Sequence, residues 1–303
     1  MAVNKTIQYG LLLVFLTAVI SGFSIFINSF AIKGFDSSVF TFAKNIVVAI
    51  LLFAVIFAVK EYQSIKNLTQ KQWMNLAAIG LIGGSIPFLL FFKGLQMTTG
   101  TTASFIHKIL FAFSTILAVT LLREKLDKKM VFGAILVLAG TYFMIRPDFK
   151  FSIGEIFILV AVIFWAFENI LAKKVLSELS GNVVAWGRMF FGSIFIFAYL
   201  LITGKQGIIF SMNSGQYFWV IISAILLLLY VMTYYNGLKI LRVSTSTAIL
   251  SIGAPITSIL SWAFGSGALS IYDCLGMLMM IGGAIVIAFY EINNSKSMFS
   301  LEL

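Results

Sequence analysis

Charged residues, cysteine and histidine are all scarce in this sequence. Of 303 residues, 11 are acidic and 21 are basic, so 11% are charged, against about a quarter in a typical soluble domain. A single cysteine, Cys274, excludes an internal disulfide framework. With one histidine, His107, the chain also lacks the ligands of a cysteine–histidine metal cluster. We therefore expect no metal site and no other cofactor.

Long apolar runs make up most of the chain instead. Hydrophobic residues account for 60% of the sequence, and the mean hydropathy is +1.04. The runs reach roughly 18 residues or more, which is enough to cross the ~30 Å hydrocarbon core of a bilayer. Backbone polar groups in lipid must be satisfied within a segment, which favours helices, whereas barrel strands alternate polar and apolar residues. The sequence predicts an all-α polytopic membrane protein.

Ten such runs can be placed along the chain. The first follows Lys5 and is too long for the core of a signal peptide. Short connections with turn or charge signals separate the others, as at Lys60-Glu61 and Gly204-Lys205. The predicted spans are residues 9–31, 39–59, 73–92, 100–122, 130–146, 153–172, 183–203, 217–236, 244–264 and 274–290.

Basic residues are divided unequally between the two sets of loops. With the N-terminus inside, most of them fall on cytoplasmic connections, and the outer side holds only Lys33, Lys93, Arg146, Lys150 and Lys205. This bias follows the positive-inside rule, so the net charge of +10 does not indicate a nucleic-acid partner. We expect a multi-pass protein of the plasma membrane with both termini in the cytoplasm.

The second half of the chain repeats the first. Residues Phe91–Gln96 resemble Tyr234–Lys239 at an offset of 143 positions. The same offset continues without a gap and pairs Thr102 with Thr245, Ile106 with Ile249, Gly133 with Gly276 and Gly140 with Gly283. Upstream, an offset of 144 pairs Gly10 with Gly154 and Lys44 with Arg188.

This self-similarity predicts two five-helix repeats, residues 9–146 and 153–290. Because five is an odd number of spans, the second copy must enter the membrane with the opposite orientation. Inverted repeats around a site at the bilayer midplane are typical of secondary transporters. We therefore expect ten helices arranged as two inverted repeats.

Several local features occur together in the first copy. They are a basic residue early in the second span, the Gly94-Leu95 step before the fourth span, and an Arg-Glu-Lys-Leu turn (Arg123–Leu126) before a glycine-containing fifth span. Together they resemble the EamA family of the drug/metabolite transporter superfamily, over essentially the whole chain. The resemblance implies a ten-helix fold and export of small metabolites, often amino acids. The second copy departs from the pattern, with Gly265–Leu269 in place of the acidic turn.

Small and polar residues form matching stripes on the fourth and ninth spans. The two stripes are Thr101, Ser104, Lys108, Ala112 and Thr115, and then Ser244, Thr247, Ser251, Pro255 and Ser258. Such hydroxyls can serve helix packing alone. An intramembrane lysine is costly and usually faces a cavity, so Lys108 favours a transport pathway. Pro255 can add a kink that frees backbone carbonyls.

The first, sixth and eighth spans carry further candidates for the pathway. Ser21 lies on a polar face of the first span, and Trp165 and Glu168 lie on the matching face of the sixth. In the eighth span Tyr230 and Tyr234 are one turn apart and fit either a pocket wall or an interfacial belt, the belt being favoured for Tyr234. The predicted substrate-binding residues are Ser21, Ser104, His107, Lys108, Trp165, Glu168, Tyr230, Thr247 and Ser251.

Two further intramembrane charges lie at similar depth. Glu168 and Arg188 are each about 7 Å from the cytoplasmic ends of adjacent spans and are natural ion-pair partners. The pair either ties the two helices together permanently or exchanges partners as a gate. Lys44, the repeat-mate of Arg188, has no acid opposite it, and its ammonium can snorkel outward.

His107 and Lys108 lie ~10–12 Å below the outer boundary. Adjacent helical residues point about 100° apart, so both need not face one cavity, and the polar stripe favours Lys108. His107 is either a hydrogen-bonded structural residue or the carrier of a coupling proton, since its ordinary pKa is about 6.5.

These features favour a secondary transporter acting as a monomer or homodimer. The sequence has no Gly-x-x-x-x-Gly-Lys-Ser/Thr loop for ATP, and the excess of intramembrane cations favours a carboxylate or phosphate substrate. An amino acid suits Lys108 for its carboxylate and Glu168 for its amine, although roughly 10 Å separates the two along the membrane normal. A membrane-embedded enzyme or a channel is the alternative, but paired carboxylates, a Ser/His couple, a filter motif and an acidic ring are all missing.

Overall fold

The computed structural model of the chain describes residues 2–145, 152–265 and 268–299. The predictions on Arg146, Lys150, Ser266 and Gly267 therefore concern residues outside the described ranges. The described chain is folded into fourteen α-helices, which are α1 (Ala2–Ala31), α2 (Ser37–Ala58), α3 (Tyr62–Lys66), α4 (Gln70–Ile79), α5 (Ile86–Met97), α6 (Gly100–Lys108), α7 (Leu110–Leu121), α8 (Lys128–Ile145), α9 (Ile153–Val175), α10 (Gly181–Ile202), α11 (Ser214–Ile240), α12 (Val243–Leu250), α13 (Gly253–Ala263) and α14 (Ile271–Phe299).

These helices form ten consecutive segments in the described chain. A π-helix, Gly80–Ser85, joins α4 to α5 as the third segment, while α6 with α7 and α12 with α13 form the fourth and ninth. By length and composition, nine segments of the described chain can cross a bilayer, and α8, with 18 residues, occupies the predicted fifth position. The prediction of an all-α membrane protein built from two inverted repeats is confirmed.

Local signals explain where several segments begin. α4, α9 and α11 each start at a capping box, in which the first residue's side chain and a glutamine or glutamate three residues later satisfy each other's backbone N–H groups. Asp36 caps α2 by accepting bonds from the N–H groups of Ser38 and Val39. These caps satisfy N–H groups that the first turn of each helix leaves without a partner, so they set where the four helices begin.

Helix packing follows the internal repeat. α1 packs on α11 just as its repeat-mate α9 packs on α5, and α2 packs on α10 as α8 packs on α14. Glycines permit the closest approaches. A Cβ added to Gly133 would lie 2.8 Å from the Gly283 carbonyl oxygen, and one added to Gly140 would lie 2.5 Å from the Gly276 carbonyl oxygen. The duplicated glycines thus meet crosswise: Gly133 lies against Gly283 and Gly140 against Gly276, whereas the sequence offset pairs Gly133 with Gly276 and Gly140 with Gly283. Small residues of this kind are common at membrane helix interfaces.

Two segments are interrupted at equivalent places. The fourth breaks at Ile109 and the ninth at Ser251-Ile252, and Ile109 and Ile252 are related by the 143-residue offset. In both breaks an i→i+3 bond replaces the helical bond, from Ile109 N–H to the Ile106 carbonyl and from Ile252 N–H to the Ile249 carbonyl. Pro255 lies after only one of the breaks, so proline is not the shared cause. Discontinuous helices of this kind mark the binding region in many transporters.

Candidate functional site

A cavity lies between the two repeats at the centre of the bundle. The space in it that is open to the centres of water-sized molecules is about 70 Å³. Both repeats contribute to its walls, which suits a ligand that must be handed from one half to the other. The lining residues are Ser21, Ser24, Ile25, Asn28, Lys44, Phe88, Phe91, Phe92, His107, Leu110, Trp165, Glu168, Asn169, Arg188, Leu227, Tyr230 and Tyr234.

The third segment supplies a carbonyl that a regular helix would not expose. Pro87 has no N–H group to bond the carbonyl four residues earlier, which is that of Gly83. Trp165 Nε1 and Arg188 Nη2 donate to this oxygen instead, at 2.9 and 3.0 Å. The π-helix is therefore an acceptor that fixes the orientation of two cavity side chains, as π-bulges at functional sites often do.

Glu168 and Arg188 both reach the cavity but do not form a direct salt bridge in the described chain. The hydroxyl of Tyr235 lies between them: it donates to Glu168 Oε1 at 2.5 Å and accepts from Arg188 Nη1 at 3.1 Å. The sequence predicted an ion pair between these two charges, but the structure places the Tyr235 hydroxyl between them, and sequence reasoning missed this tyrosine. Whether this chain exchanges partners during transport stays a prediction.

The structure reverses the expected orientations of His107 and Lys108. The histidine ring lines the cavity and packs edge-on against Phe91 and Trp165, with ring centroids 5.7 and 5.1 Å away. Lys108 lies behind this wall, where its Nζ donates to Ser21 Oγ at 3.0 Å and lies 3.2 Å from His107 Nδ1. Lys108 therefore joins the helix break to α1 and does not itself face the cavity.

The remaining predicted site residues divide into two groups. Ser21, Trp165, Glu168 and Tyr230 line the cavity, whereas Ser104, Thr247 and Ser251 are buried between helices. Ser104 Oγ donates to Thr257 Oγ1 at 3.1 Å across the α6–α13 interface. Thr247 and Ser251 donate to carbonyls within their own helix. These three hydroxyls serve the packing alternative that the stripe left open.

Tyr234 belongs to the cavity, contrary to the interfacial position favoured for it. Its ring stacks on Tyr230, with centroids 5.8 Å apart, and its hydroxyl donates to Asn169 Oδ1 at 2.8 Å. Asn169 in turn donates to Ser114 Oγ at 3.2 Å. Both hydrogen bonds are buried, so this row of polar groups joins α11, α9 and α7 inside the bundle.

Sequence reasoning also missed the aromatic wall of the third segment. Phe88, Phe91 and Phe92 surround the cavity between Lys44 and Trp165. Phenylalanine is common throughout this chain, which has 31 of them, so composition alone did not distinguish these three. Pro87 directly before them was the available signal, because it predicts a distorted helix at that depth.

A charged network lies at the end of the bundle opposite Asp36. Glu124, in the acidic turn of the first repeat, accepts bonds from the backbone N–H groups of Val243 and Ser244 at 2.8 and 3.2 Å and so caps α12 in the second repeat. Beside it Arg242 forms a salt bridge with Glu291. Burial lowers the pKa of Arg242, but the hydrogen bond and charge of Glu291 outweigh this and raise it. We call Glu124, Arg242, Val243, Ser244 and Glu291 together the inner latch.

No group of three or more His, Cys, Asp or Glu residues able to hold a metal ion occurs within the described ranges. The site is thus a polar, aromatic-walled cavity built by the two halves of an inverted repeat, with charges from both copies. That combination defines a polytopic membrane protein with a polar cavity between its two repeats.

Comparison with known proteins assigns the family. The EamA-like transporter family matches the chain twice, at residues 8–146 and 152–289. The chain belongs to this family and is a multi-pass membrane transporter.

Named relatives are distant. The chain is 24% identical over 260 residues to the riboflavin transporter ImpX of Fusobacterium nucleatum subsp. nucleatum. The aligned region covers 79% of this chain and 84% of that protein. It is 22% identical over 249 residues to the uncharacterized transporter YyaM of Bacillus subtilis, covering 78% of this chain and 79% of that one. A solved structure, "Crystal structure of protein", superposes with a TM-score of 0.68 at 15% identity, over 90% of this chain and 94% of that chain. At this identity the likeness shows the fold alone.

Proposed function

We propose that the protein is a secondary transporter that carries a small organic metabolite by alternating access through the central cavity. One observation supports this above all: the cavity lies between the repeats, and each repeat places a cation from its second helix at the wall, Lys44 from α2 and Arg188 from α10. A pseudo-symmetric site of this kind can be opened to either side by exchanging the conformations of the two halves. One chain completes the cavity, so we propose that a monomer is sufficient.

The two repeats, residues 9–146 and 153–290, are proposed as the moving units. The inner latch crosses between them, because Glu124 belongs to the first and α12 to the second. At the other end of the bundle, α6 is the repeat-mate of α12 and is capped differently. Thr99, which belongs to the same repeat as α6, caps it. A carboxylate that caps a helix in the other half must leave it when the halves separate, so the latch favours the state closed at this end.

The direction and location follow from the family resemblance and the loop charges. We propose net export across the plasma membrane, with both termini in the cytoplasm, and no enzymatic activity. A reporter active on one side only, fused after Leu303, gives a signal inside the cell under this orientation. A signal from outside would contradict it.

Amino acids and organic acids are the first substrate candidates. The arrangement first considered for an amino acid, with Lys108 on its carboxylate, does not fit, because Lys108 Nζ is occupied by Ser21 and His107. Arg188 and Glu168 are closer together and both face the cavity, so they suit the two charges of a zwitterion better. His107 is the cavity group proposed to carry a coupling proton.

A flavin or similar planar heterocycle is a second candidate. The wall of Phe88, Phe91, Trp165, Tyr230 and Tyr234 offers faces on which such a ring can stack. The relative ImpX, named a riboflavin transporter, supports including this class.

Counterflow in proteoliposomes tests the proposal. Purified protein is reconstituted, loaded with each member of a metabolite panel, and assayed for saturable uptake of the labelled compound. Ser24→Trp places a large ring at the cavity wall and should abolish uptake, whereas Ile202→Trp on the exposed outer surface should not. Flux that rises linearly with concentration would indicate a channel instead.

A further inference from the structure

Lys44 differs from the other buried cations of the bundle. Its side chain is 1% exposed, yet its Nζ makes no hydrogen bond or salt bridge with the residues that the structure describes. The Nζ atom lies over aromatic rings, 3.6 Å from the centroid of Phe92, 4.9 Å from that of Phe88 and 5.4 Å from that of Phe40. These rings attract the ammonium through their negative faces but leave its N–H groups without acceptors.

The other cations inside the bundle make hydrogen bonds with the protein. Lys108 bonds Ser21, and the partly exposed Lys173 donates to the carbonyls of Leu238, Lys239 and Leu241. Arg188 bonds Tyr235 and Gly83 and retains one buried nitrogen, Nε, without a partner. Since buried charges in membrane proteins are ordinarily paired, the unmatched ammonium of Lys44 indicates that its partner arrives from outside the chain.

Lys44 and the open side of Arg188 approach the same ring. The Arg188 Cζ atom lies 5.3 Å from the Phe88 centroid and Lys44 Nζ lies 4.9 Å from it, so about 10 Å at most separates the two groups. On the same cavity wall, Asn28 Oδ1 is buried and has no hydrogen-bond partner in the described chain. The cavity therefore offers two cations and one neutral acceptor, while Glu168 already accepts a bond from Tyr235.

We propose that Lys44 Nζ, assisted by Arg188, binds an acid group of the substrate, a carboxylate or phosphate, with the three phenylalanine rings holding the ammonium in place. This inference rests on the proposed transport function and adds the substrate class to it. The anion replaces the hydration that Lys44 loses on burial, and it supplies the charge-assisted hydrogen bonds that the protein withholds. Neutral molecules of the same shape leave the ammonium unpaired and bind more weakly.

Binding to purified protein in detergent tests the proposal separately from transport. Titration calorimetry is carried out with four acids: benzoate, succinate, phenylalanine and glycerol 3-phosphate. Each is compared with a counterpart that lacks the acid group, namely benzamide, succinamide, phenylalaninamide and glycerol. We expect at least one acid to bind at least roughly tenfold more tightly than its counterpart, since hydrogen bonds to charged groups are strong. The carboxylates and the phosphate ester distinguish the two kinds of acid group.

The matched variants are Lys44→Gln, Lys44→Arg and Lys33→Gln. Lys44→Gln removes the charge and should weaken binding of the acid by about tenfold or more without changing that of the counterpart. Lys44→Arg should retain part of the affinity. Lys33 also lies over a phenylalanine ring, Phe30, but is exposed, so Lys33→Gln should have no effect. If Lys44→Gln does not fold, Lys44→Arg and the comparison of acids with counterparts still decide the outcome.

Three results would overturn the inference: no acid binds, each acid binds no better than its counterpart, or Lys44→Gln binds the acids as tightly as the parent protein. Acid binding that depends on Lys44, without saturable counterflow in liposomes, would support the inference and contradict the proposed transport function. The two proposals therefore fail by different measurements.

Discussion

Lys108 Nζ lies 3.0 Å from Ser21 Oγ, and this hydrogen bond joins the break of the fourth segment to the first. A Cβ added to Gly253, at the start of α13 after the matching break, would lie 3.0 Å from the same ammonium. The lysine thus packs where the two discontinuous segments and α1 meet. Its position explains why a charge at this depth is retained although it does not line the cavity.

Ser21→Ala should destabilise the protein by about 1–3 kcal/mol, because it removes a partner of a buried ammonium. Ser24→Ala, one turn further along the same helix, removes a hydroxyl bonded to the neutral Asn28 amide and should cost less. Thermal unfolding in detergent measures the difference. Equal stability losses for the two variants would contradict a structural role for the Lys108–Ser21 bond.

Tyr235→Phe should remove the hydroxyl that joins Glu168 to Arg188 and so lower both stability and transport. The hydroxyl bonds both charged groups, and loss of such a bond typically costs about 1.5–3 kcal/mol. Tyr230→Phe is the matched control, since within the described chain the Tyr230 hydroxyl makes no hydrogen bond. Thermal unfolding and counterflow check both variants, and an unaffected Tyr235→Phe protein would exclude the bridge.

Gly84→Ala should prevent stable folding, whereas Gly282→Ala should be tolerated. A Cβ at Gly84 would lie 2.2 Å from the Arg188 carbonyl oxygen, a backbone atom that cannot turn away, while a Cβ at Gly282 would meet nothing within 4 Å. Overpacking of this kind usually costs about 1–3 kcal/mol or more. The yield of monodisperse protein on size exclusion distinguishes the two variants.

The Asp36–Lys205 salt bridge, 2.7 Å long and outside the spans, should make stability depend on pH. Burial raises the pKa of Asp36, but hydrogen bonds from Lys205, Ser38 and Val39 together bring it below its ordinary 3.8. The hydrogen bond to Asp36 raises the pKa of Lys205 above 10.5. The contribution of the Asp36 carboxylate to stability is therefore present above pH 3.8 and is lost as pH falls through its lowered pKa. The contribution of Lys205 to stability is lost only as pH rises past its raised pKa.

Asp36→Asn tests this dependence because it removes the charge and retains an oxygen for capping α2. The difference in melting temperature from the parent should be constant between about pH 5 and 9 and should shrink below about pH 4. Asp36→Ala loses the cap as well and should be less stable than Asp36→Asn at every pH. A melting difference that does not change down to pH 3 would show that the bridge contributes nothing.

Glu124→Ala should open the end of the bundle that the inner latch closes. The variant removes the acceptor for the N–H groups of Val243 and Ser244, and a lost cap typically costs about 0.5–2 kcal/mol. With Cys274→Ser and Thr247→Cys as background, Glu124→Ala should increase labelling by a membrane-impermeant maleimide from that side. Asp127 lies in the same turn and accepts a bond from the nearby Lys129 N–H, so Asp127→Ala should leave labelling unchanged. Equal labelling of the two variants would exclude the latch.

Helix positions and the repeat were predictable because they depend on local properties of the chain. Apolar length sets where each segment lies, and the duplicated glycines, such as Gly133 and Gly276, mark the internal repeat. The position of Lys108 was not predictable in the same way. Its assignment to the cavity rested on the polar stripe that it shares with Ser104, whereas Ser104 packs against α13 and the long side chain of Lys108 turns toward α1.

Sequence alone determined that this chain is a membrane protein of ten helical segments in two inverted copies, because hydropathy, span length and self-similarity are properties of the chain itself. Only the tertiary structure decided which polar groups share the cavity. Tyr235 between Glu168 and Arg188, the donors that Trp165 and Arg188 bring to the Gly83 carbonyl, and the rings of Phe88 and Phe92 beside Lys44 all depend on contacts between segments far apart in the sequence. Such contacts are set by how closely the helices pack, and spacing along one helix carries no record of that.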